Sequence, residues 1–495
     1  MTGLADLPLG ARPKGRTALR ADWVLGHGTQ GHRLLKNAEV VIDGARVLHV
    51  GGRFPGEVAR RIDLGAALIS PGFIDLDALS DLDTTLLAIE HQPGWAKGRV
   101  WPETYVQRGP YEMYTPDELA FQKRFAFAQL LLNGITTAAP IASLFYREWG
   151  ETAGEFDAAA QAAIDLGLRV YLGPAYRAGG MVCTAPGVLE ARFDEARGLA
   201  GLEDAAGFIR RWQGAGAGLV RGLLAPDRVE TCTASLLART MDVAADLDVP
   251  VRLHMAQGQM EVDTMRHLHG TTAPQWLAGL GLLSPRLIAP HATHATGDDL
   301  RAYADHGVSV VHCPLVSGRF GGLMRSFRKL EEMGITIAMG TDTAPPDMLM
   351  NLQIGLILAR VAEDDAGATS SADMFRAATL GGARALGRDD LGRIASGCPA
   401  DLAVFDLSAP HMAPTIDPIT TLVATGTGRV TRATFVDGRL SMRDGQVAGL
   451  DLPAARTRAQ AQFDGLVAKY PERSWGHPSL DQLFPPGFPL EVHDA

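Results

Sequence analysis

The chain has 495 residues, 46% of them hydrophobic, enough for one large domain and a smaller one. Its net charge is -10, and its lysines and arginines form no basic stripe, which argues against nucleic acid as a partner. The start, "MTGLADLPLGARPKGRTALRADW", has no apolar signal-peptide core, and no run of about 18 apolar residues occurs anywhere, so no membrane association is expected. The four cysteines (Cys183, Cys232, Cys313, Cys398) are far apart in the chain and form no C-x-x-C pair, which reads as reduced thiols and a cytoplasmic location.

In chain order, residues 17–67 come first as short apolar bursts, with "AEVVIDGARVLHVGG" reading as strand, Asp43-Gly44 turn, strand. The middle, about 70–385, alternates strand and helix. Its strand signals are "LISPGFIDLD", "GITTAAPI", "LRVYLGPAY", "GLVRGLLAPD", "VPVRLHMAQ", "RLIAPHATH", "VSVVHCP" and "ITIAMGTD". Between the first two lies "TPDELAFQKRFAFAQLLLN", a helix with Thr115 as N-cap, Pro116 in its first turn and Glu118 closing a capping box. Eight such units predict a β/α (TIM-like) barrel, whose site lies at the C-terminal strand ends. An open doubly wound sheet fits less well, because no Gly-rich phosphate loop follows the first strand. "ADLAVFDL" and "RATFVDGRLSMRDGQVAGL" then add three strands and two Asp-Gly turns. Neither end alone has enough strands to bury a face, so the two are expected to build one small β-sandwich. The expected organisation is 17–67 plus 386–450 for the sandwich, 68–385 for the catalytic barrel and 451–495 for a C-terminal extension that packs or makes a subunit contact.

Polar residues gather at the predicted strand ends. His254 closes strand five, His291 and His294 strand six, His312 strand seven, Asp342 strand eight and Asp77 strand one. A lone buried histidine is usually a core residue, but four of the fourteen histidines at successive strand ends of a barrel point into one cavity. Residues 95–149 hold seven of the fifteen tryptophans and tyrosines, among them Trp95, over the expected mouth. Most would pack a lid, and the cavity they rim suits a flat or aromatic ligand. Arg177 and Arg319 are placed to meet a carboxylate or carbonyl, although each also reads as a surface ion pair.

The motifs "SPGFID", "NGITT", "LHMAQ", "HATH", "VVHCP", "MGTD", "ATLGGARALGR" and "GCPADLAVFD", in that order, resemble the amidohydrolase superfamily, in its chlorohydrolase and cytosine- or guanine-deaminase-like branch. The resemblance implies the same barrel and two-ended sandwich, a homodimer, and hydrolysis of C–N bonds by metal-activated water. Position by position, it makes His254 a metal ligand, His291 the residue that polarises substrate, and Asp342 ligand and general base. The departures are in strand one, where the family's His-x-His is Asp77-x-Leu79, and at Gln257, where the family has a proton-shuttling Glu. An amide does not titrate, so Asp342, His291 or Glu261 would have to move the proton. Asp77 and Leu79, two apart on a strand, are expected to face the cavity together.

Asp77, His254, His291 and Asp342 then form the expected catalytic set. They are also a mixed donor set for at most one divalent ion of the Zn type. Gln257, His294, His312, Arg177 and Trp95 are the expected substrate contacts. Three outcomes follow from these residues: a mononuclear metal hydrolase, a metal-free acid–base hydrolase, or a relative that binds a small molecule without turning it over. The expected reaction is hydrolysis of an amide, urea-like or amino-heterocycle C–N bond in a small, ring-containing molecule.

Overall fold

A computed structural model describes residues 3–491 apart from 83, 142, 143, 325 and 344, and apart from the side chain of residue 145. Eight parallel strands form the central sheet: β1 (Phe73–Ala78), β2 (Ile135–Pro140), β3 (Arg169–Leu172), β4 (Val220–Gly222), β5 (Val251–Arg252), β6 (Leu287–Pro290), β7 (Ser309–His312) and β8 (Ile337–Met339). Their order is β4-β3-β2-β1-β8-β7-β6-β5, and a parallel bridge from Leu224 to Val251 closes the ring. Inside it sit Ile74, Leu76, Tyr171, Leu223, Ile288, Val311 and Ala338 in one buried cluster. The strands are short and buried on both faces, as parallel strands wrapped by helices must be.

The helix after β1, Pro116–Leu132, starts as its sequence predicts. Thr115 accepts from the Glu118 amide at 3.3 Å and the Glu118 carboxylate accepts from the Thr115 amide at 2.7 Å.

Strands from both chain ends hydrogen-bond in one nine-stranded sheet. Thr17–Gly28, Gly31–Asp43 and Arg46–Gly51 join Leu402–Asp406, Thr431–Val436, Arg439–Arg443 and Gln446–Val447. One apolar cluster, including Leu19, Val40, Ile62, Leu402 and Phe435, draws on both ends. The turns Asp437-Gly438 and Asp444-Gly445 have positive φ at both positions, as type I′ hairpins require. The apolar run "LISPGFIDLD" is not one strand but two. Ala67–Pro71 pairs with Leu402–Asp406 in the terminal sheet, and only from Phe73 does the chain enter the barrel.

A three-stranded sheet was not expected from the sequence. It consists of the hairpin Gly179–Ala185 and Val188–Phe193, with Trp101–Pro102 alongside. The extension after 451 forms a helix, Leu452–Lys469, and its Leu466, Tyr470 and Leu483 share an apolar cluster with Tyr105, Met113, Tyr114 and Tyr146. Within this chain the tail packs the segment that follows β1. Among the described residues no helix is long and apolar enough to cross a membrane.

Candidate active site

Asp77 near the end of β1, His254 just beyond β5, His291 just beyond β6 and Asp342 beyond β8 converge. His254 Nε2 lies 3.4 Å from Asp77 Oδ1, and His291 Nε2 lies 3.8 Å from Asp77 Oδ2 and 3.5 Å from Asp342 Oδ2. One donor atom from each of Asp77, His254 and His291 falls within 4.8 Å of the others. All four residues are buried. The backbone is forced to bring them there: His291 and Asp342 have φ of 79° and 57°, a region costly for residues with a Cβ, by about 1–3 kcal/mol each. The Asp342 amide is pinned to the Asp77 carbonyl at 2.6 Å.

A supporting layer holds these groups. Asp75 accepts from the amides of Asp77 (3.2 Å) and Thr341 (3.1 Å) and from the Thr341 hydroxyl (2.6 Å), tying the end of β1 to the end of β8. Burial pushes the Asp75 carboxyl up to about 7 against those hydrogen bonds. His254 Nδ1 is 3.0 Å from the Asp227 carbonyl, which leaves Nε2 for the site. Burial favours the neutral form of Asp77, yet His254, Arg252 and His291 outweigh it and bring the carboxyl down to about 2. Asp342 goes the other way, raised to about 6 by burial and by Asp77. Burial lowers His291 to about 3, so its ring is neutral.

These residues fit a divalent ion. Asp77 Oδ1 and both nitrogens of His291 are buried without a hydrogen-bond partner among the described residues. The 3.4–3.8 Å separations are too long for good hydrogen bonds. Donors about 2.1 Å from a tetrahedral Zn²⁺ would lie about 3.4 Å apart. Two features work against tight binding. Arg252, on β5, brings Nη1 to 3.8 Å from Asp77 Oδ1. Cys313, its thiol kept protonated mainly by burial and by Asp77, stands 3.6 Å from Asp77 Oδ2 as a donor rather than a ligand.

A cavity of about 360 Å³ opens above, with His254, Gln257 and Asp342 on its wall. Arg177 lines it too, with Trp101 and Trp149. Several expectations are corrected here. Trp95 lies off the cavity, paired with Trp475 of the tail at 6.1 Å. His294 is exposed, because its amide bonds back to Ala256 and turns the chain outward. His312 is buried against Phe327, with burial lowering its pKa to about 3. Arg319 donates to the Thr85 hydroxyl at 2.8 Å. Leu79 lies past the end of β1, so strand alternation no longer governs it, and it joins the main apolar cluster. The two oxygens of Glu261 accept the amides of Ala256 and Gln257, each at 2.7 Å, so this carboxyl holds the turn after β5.

The sequence reading passed over Arg252 and the cavity-lining Asp227, Arg228 and Glu230. Their signal was present: three charged residues stand in "APDRVE", a few residues past the end of strand four. Arg228 Nη1 donates to Gln257 Oε1 at 2.7 Å and fixes the amide.

A closed eight-stranded barrel, joined to a two-ended sheet and carrying imidazoles and carboxylates at its C-terminal strand ends, defines a barrel hydrolase. The Amidohydrolase family matches residues 68–441, and the chain belongs to that family, whose type is the hydrolase acting on carbon–nitrogen bonds. A 5-methylthioadenosine/S-adenosylhomocysteine deaminase of Natronomonas pharaonis is 27% identical over 443 residues, covering 88% of this chain and 95% of the relative. A zinc-bound adenosine deaminase from Xanthomonas campestris shares the fold with a TM-score of 0.74 at 24% identity, over 90% of this chain and 98% of its own. Atrazine chlorohydrolase from Arthrobacter aurescens, complexed with zinc, does so with a TM-score of 0.74 at 24% identity, over 90% and 99%.

Proposed function

We propose that the protein hydrolyses a C–N bond of an amide, urea-like compound or amino-heterocycle in a small, ring-containing molecule, at the floor of the barrel-end cavity. The observation that carries this is Asp342: a carboxyl raised to about 6, on the cavity wall, 3.5 Å from a neutral imidazole. A group titrating near neutrality can take a proton from water as its oxygen bonds to the substrate carbon, and return it to the departing nitrogen. The neutral His291 ring is available to polarise the carbon under attack. Gln257, held by Arg228, orients substrate by hydrogen bonds and moves no proton. Asp77, His254 and His291, with Asp342 beside them, would hold a divalent ion, and the chemistry such an ion supplies is a water of lowered pKa. The deaminase relatives and zinc-bound neighbours support both parts of this reading.

The test is release of ammonia or amine from a panel of amides, ureas and amino-heterocycles. Asp342→Asn should reduce turnover by about 10²–10⁴-fold. Ligands that bind and are recovered intact across the whole panel would favour a non-catalytic binder.

A further inference from the structure

Arg177 follows the short strand Ala175–Tyr176 beyond β3 and is only 9% exposed. Its guanidinium stands over the ring of Trp101 at 4.8 Å and that of Trp149 at 5.5 Å. Trp149 Nε1 donates to the Arg177 carbonyl at 2.9 Å, fixing ring and arginine together. Nε and Nη2, which form one edge of the guanidinium, are buried with no hydrogen-bond partner among the described residues. Burial pushes this arginine's pKa down, with Asp227 the nearby charge that opposes the shift.

The other basic side chains on the wall have different surroundings. Arg228 is held by Gln257 at 2.7 Å, Arg192 by Glu103 at 2.6 Å, and Lys97 by the Ala88 carbonyl at 3.4 Å, while Arg99 lies over Phe320 at 5.2 Å. Among the described residues, Arg177 is the basic side chain of this wall that has a buried guanidinium edge with no hydrogen-bond partner, beside a cavity whose floor is the hydrolytic site. Ring faces recover only part of what a buried cation loses in water, and the unfilled edge matches a planar carboxylate. The volume of about 360 Å³ is near the lower end for ligand sites and admits one or two rings.

We infer that the substrate is an anion: a compact, ring-bearing carboxylate whose carboxylate is taken by Arg177 between Trp101 and Trp149. This rests on the reading of the cavity as the substrate site. It sets the direction of binding, with the anionic end under the hairpin Gly179–Phe193 and the C–N bond at the floor by His254 and Asp342. Arg177 is therefore a specificity-determining residue, and a neutral analogue of the same shape leaves it unpaired.

Binding needs no turnover, so the full-length Asp342→Asn protein serves as host. Benzoate, indole-2-carboxylate and N-acetylanthranilate are each titrated against their primary amides, read by tryptophan fluorescence, which Trp101 and Trp149 report, and by thermal shift. At least one carboxylate should bind about tenfold or more tighter than its amide. Arg177→Gln should bring that ratio to about one, and Arg177→Lys should keep part of it. A ratio near one for every pair in the host, or a preference that survives Arg177→Gln, overturns the inference, and the first result needs no arginine variant to fold. Carboxylate preference without turnover in the native protein would sink the hydrolase reading alone, and turnover of neutral amides without carboxylate preference would sink this one alone.

Discussion

Asp77 is surrounded by positive and donor groups. Besides His254 and His291 it faces Cys313 and the guanidinium of Arg252, which is 3% exposed. Arg252 Nη1 donates to the carbonyls of Ala139 at 2.8 Å and Pro140 at 2.9 Å, so it is built into the barrel and cannot swing away. Its charge competes with any ion for the same carboxylate. At an effective dielectric near 20, two charges about 6 Å apart interact by roughly 3 kcal/mol, of which screening leaves a part. Arg252→Gln is therefore expected to tighten divalent-ion binding by about tenfold, read by competition with a fluorescent zinc chelator. The same change strips a donor from two buried carbonyls, so the melting temperature should fall. Unchanged ion affinity would show that Arg252 leaves Asp77 free to ligate. Asp77→Ala should lower turnover by orders of magnitude with or without an ion, and a variant with nearly native turnover would reduce Asp77 to a packing role.

The ends of β1 and β8 meet closely, and Gly340 is the reason. A Cβ on Gly340 would lie 2.6 Å from the Asp77 Cβ and 2.9 Å from Cys313 Sγ. Gly340→Ala must push β8 and β1 apart, so it should cost about 1–3 kcal/mol in urea unfolding and weaken ion binding by moving Asp342 from Asp77. Native stability and native ion affinity in that variant would show the strand ends to be more yielding than packing implies. The eight strands and the hairpins of the terminal sheet were legible because their signals are local: apolar bursts of strand length, Asp-Gly turns and a capping box. The break at Gly72 was not, since Leu68 to Asp77 reads as one apolar run and only pairing to Leu402–Asp406 divides it. The hairpin at 179–193 had its Pro186-Gly187 turn in plain view, but its strands have mixed polarity because they roof a cavity and cover no core. His254, His291 and Asp342 were legible because strand ends converge in a barrel. Trp95 and His294 went astray because side-chain direction beyond a strand's last residue depends on loop geometry, and His312, the last residue of β7, packs against Phe327.

At the scale of the whole molecule, two of the seams between the barrel and the terminal sheet hold buried ionisable groups. In one, Arg169 of β3 meets Asp401 through Nε at 3.0 Å and Nη2 at 3.2 Å, both residues being buried. Asp401→Asn leaves a buried guanidinium with the Gly218 carbonyl at 3.3 Å and the more distant carboxylate of Asp437 at 3.8 Å, and should cost about 3–5 kcal/mol in chemical denaturation. A loss below about 1 kcal/mol would mean that the seam holds without this pair. In the other seam, His32 of the strand Gly31–Asp43 places Nε2 at 3.1 Å from Thr379 Oγ1. That hydroxyl donates to the Phe375 carbonyl at 2.8 Å, so it accepts from His32 and the ring keeps its proton on Nε2. Burial, then His27, Arg376 and Arg393, push the His32 pKa from 6.5 down to about 3. Between those two values the unfolded chain binds a proton that the folded chain refuses, so stability rises with pH there. The contribution is complete above about 6.5 and is lost progressively as the pH falls toward about 3. His291 and His312, also lowered to about 3, act in the same direction. Asp75, raised to about 7, and Asp342, raised to about 6, pull the other way over the same range, so the test is a difference between proteins: relative to the native chain, His32→Gln, which keeps a side-chain donor but cannot titrate, should lower the slope of stability against pH between 7.5 and 5 by up to about 1.4 kcal/mol per pH unit in urea unfolding. An identical slope in the variant would remove His32 from the account, and a steeper one would contradict the sign of its contribution.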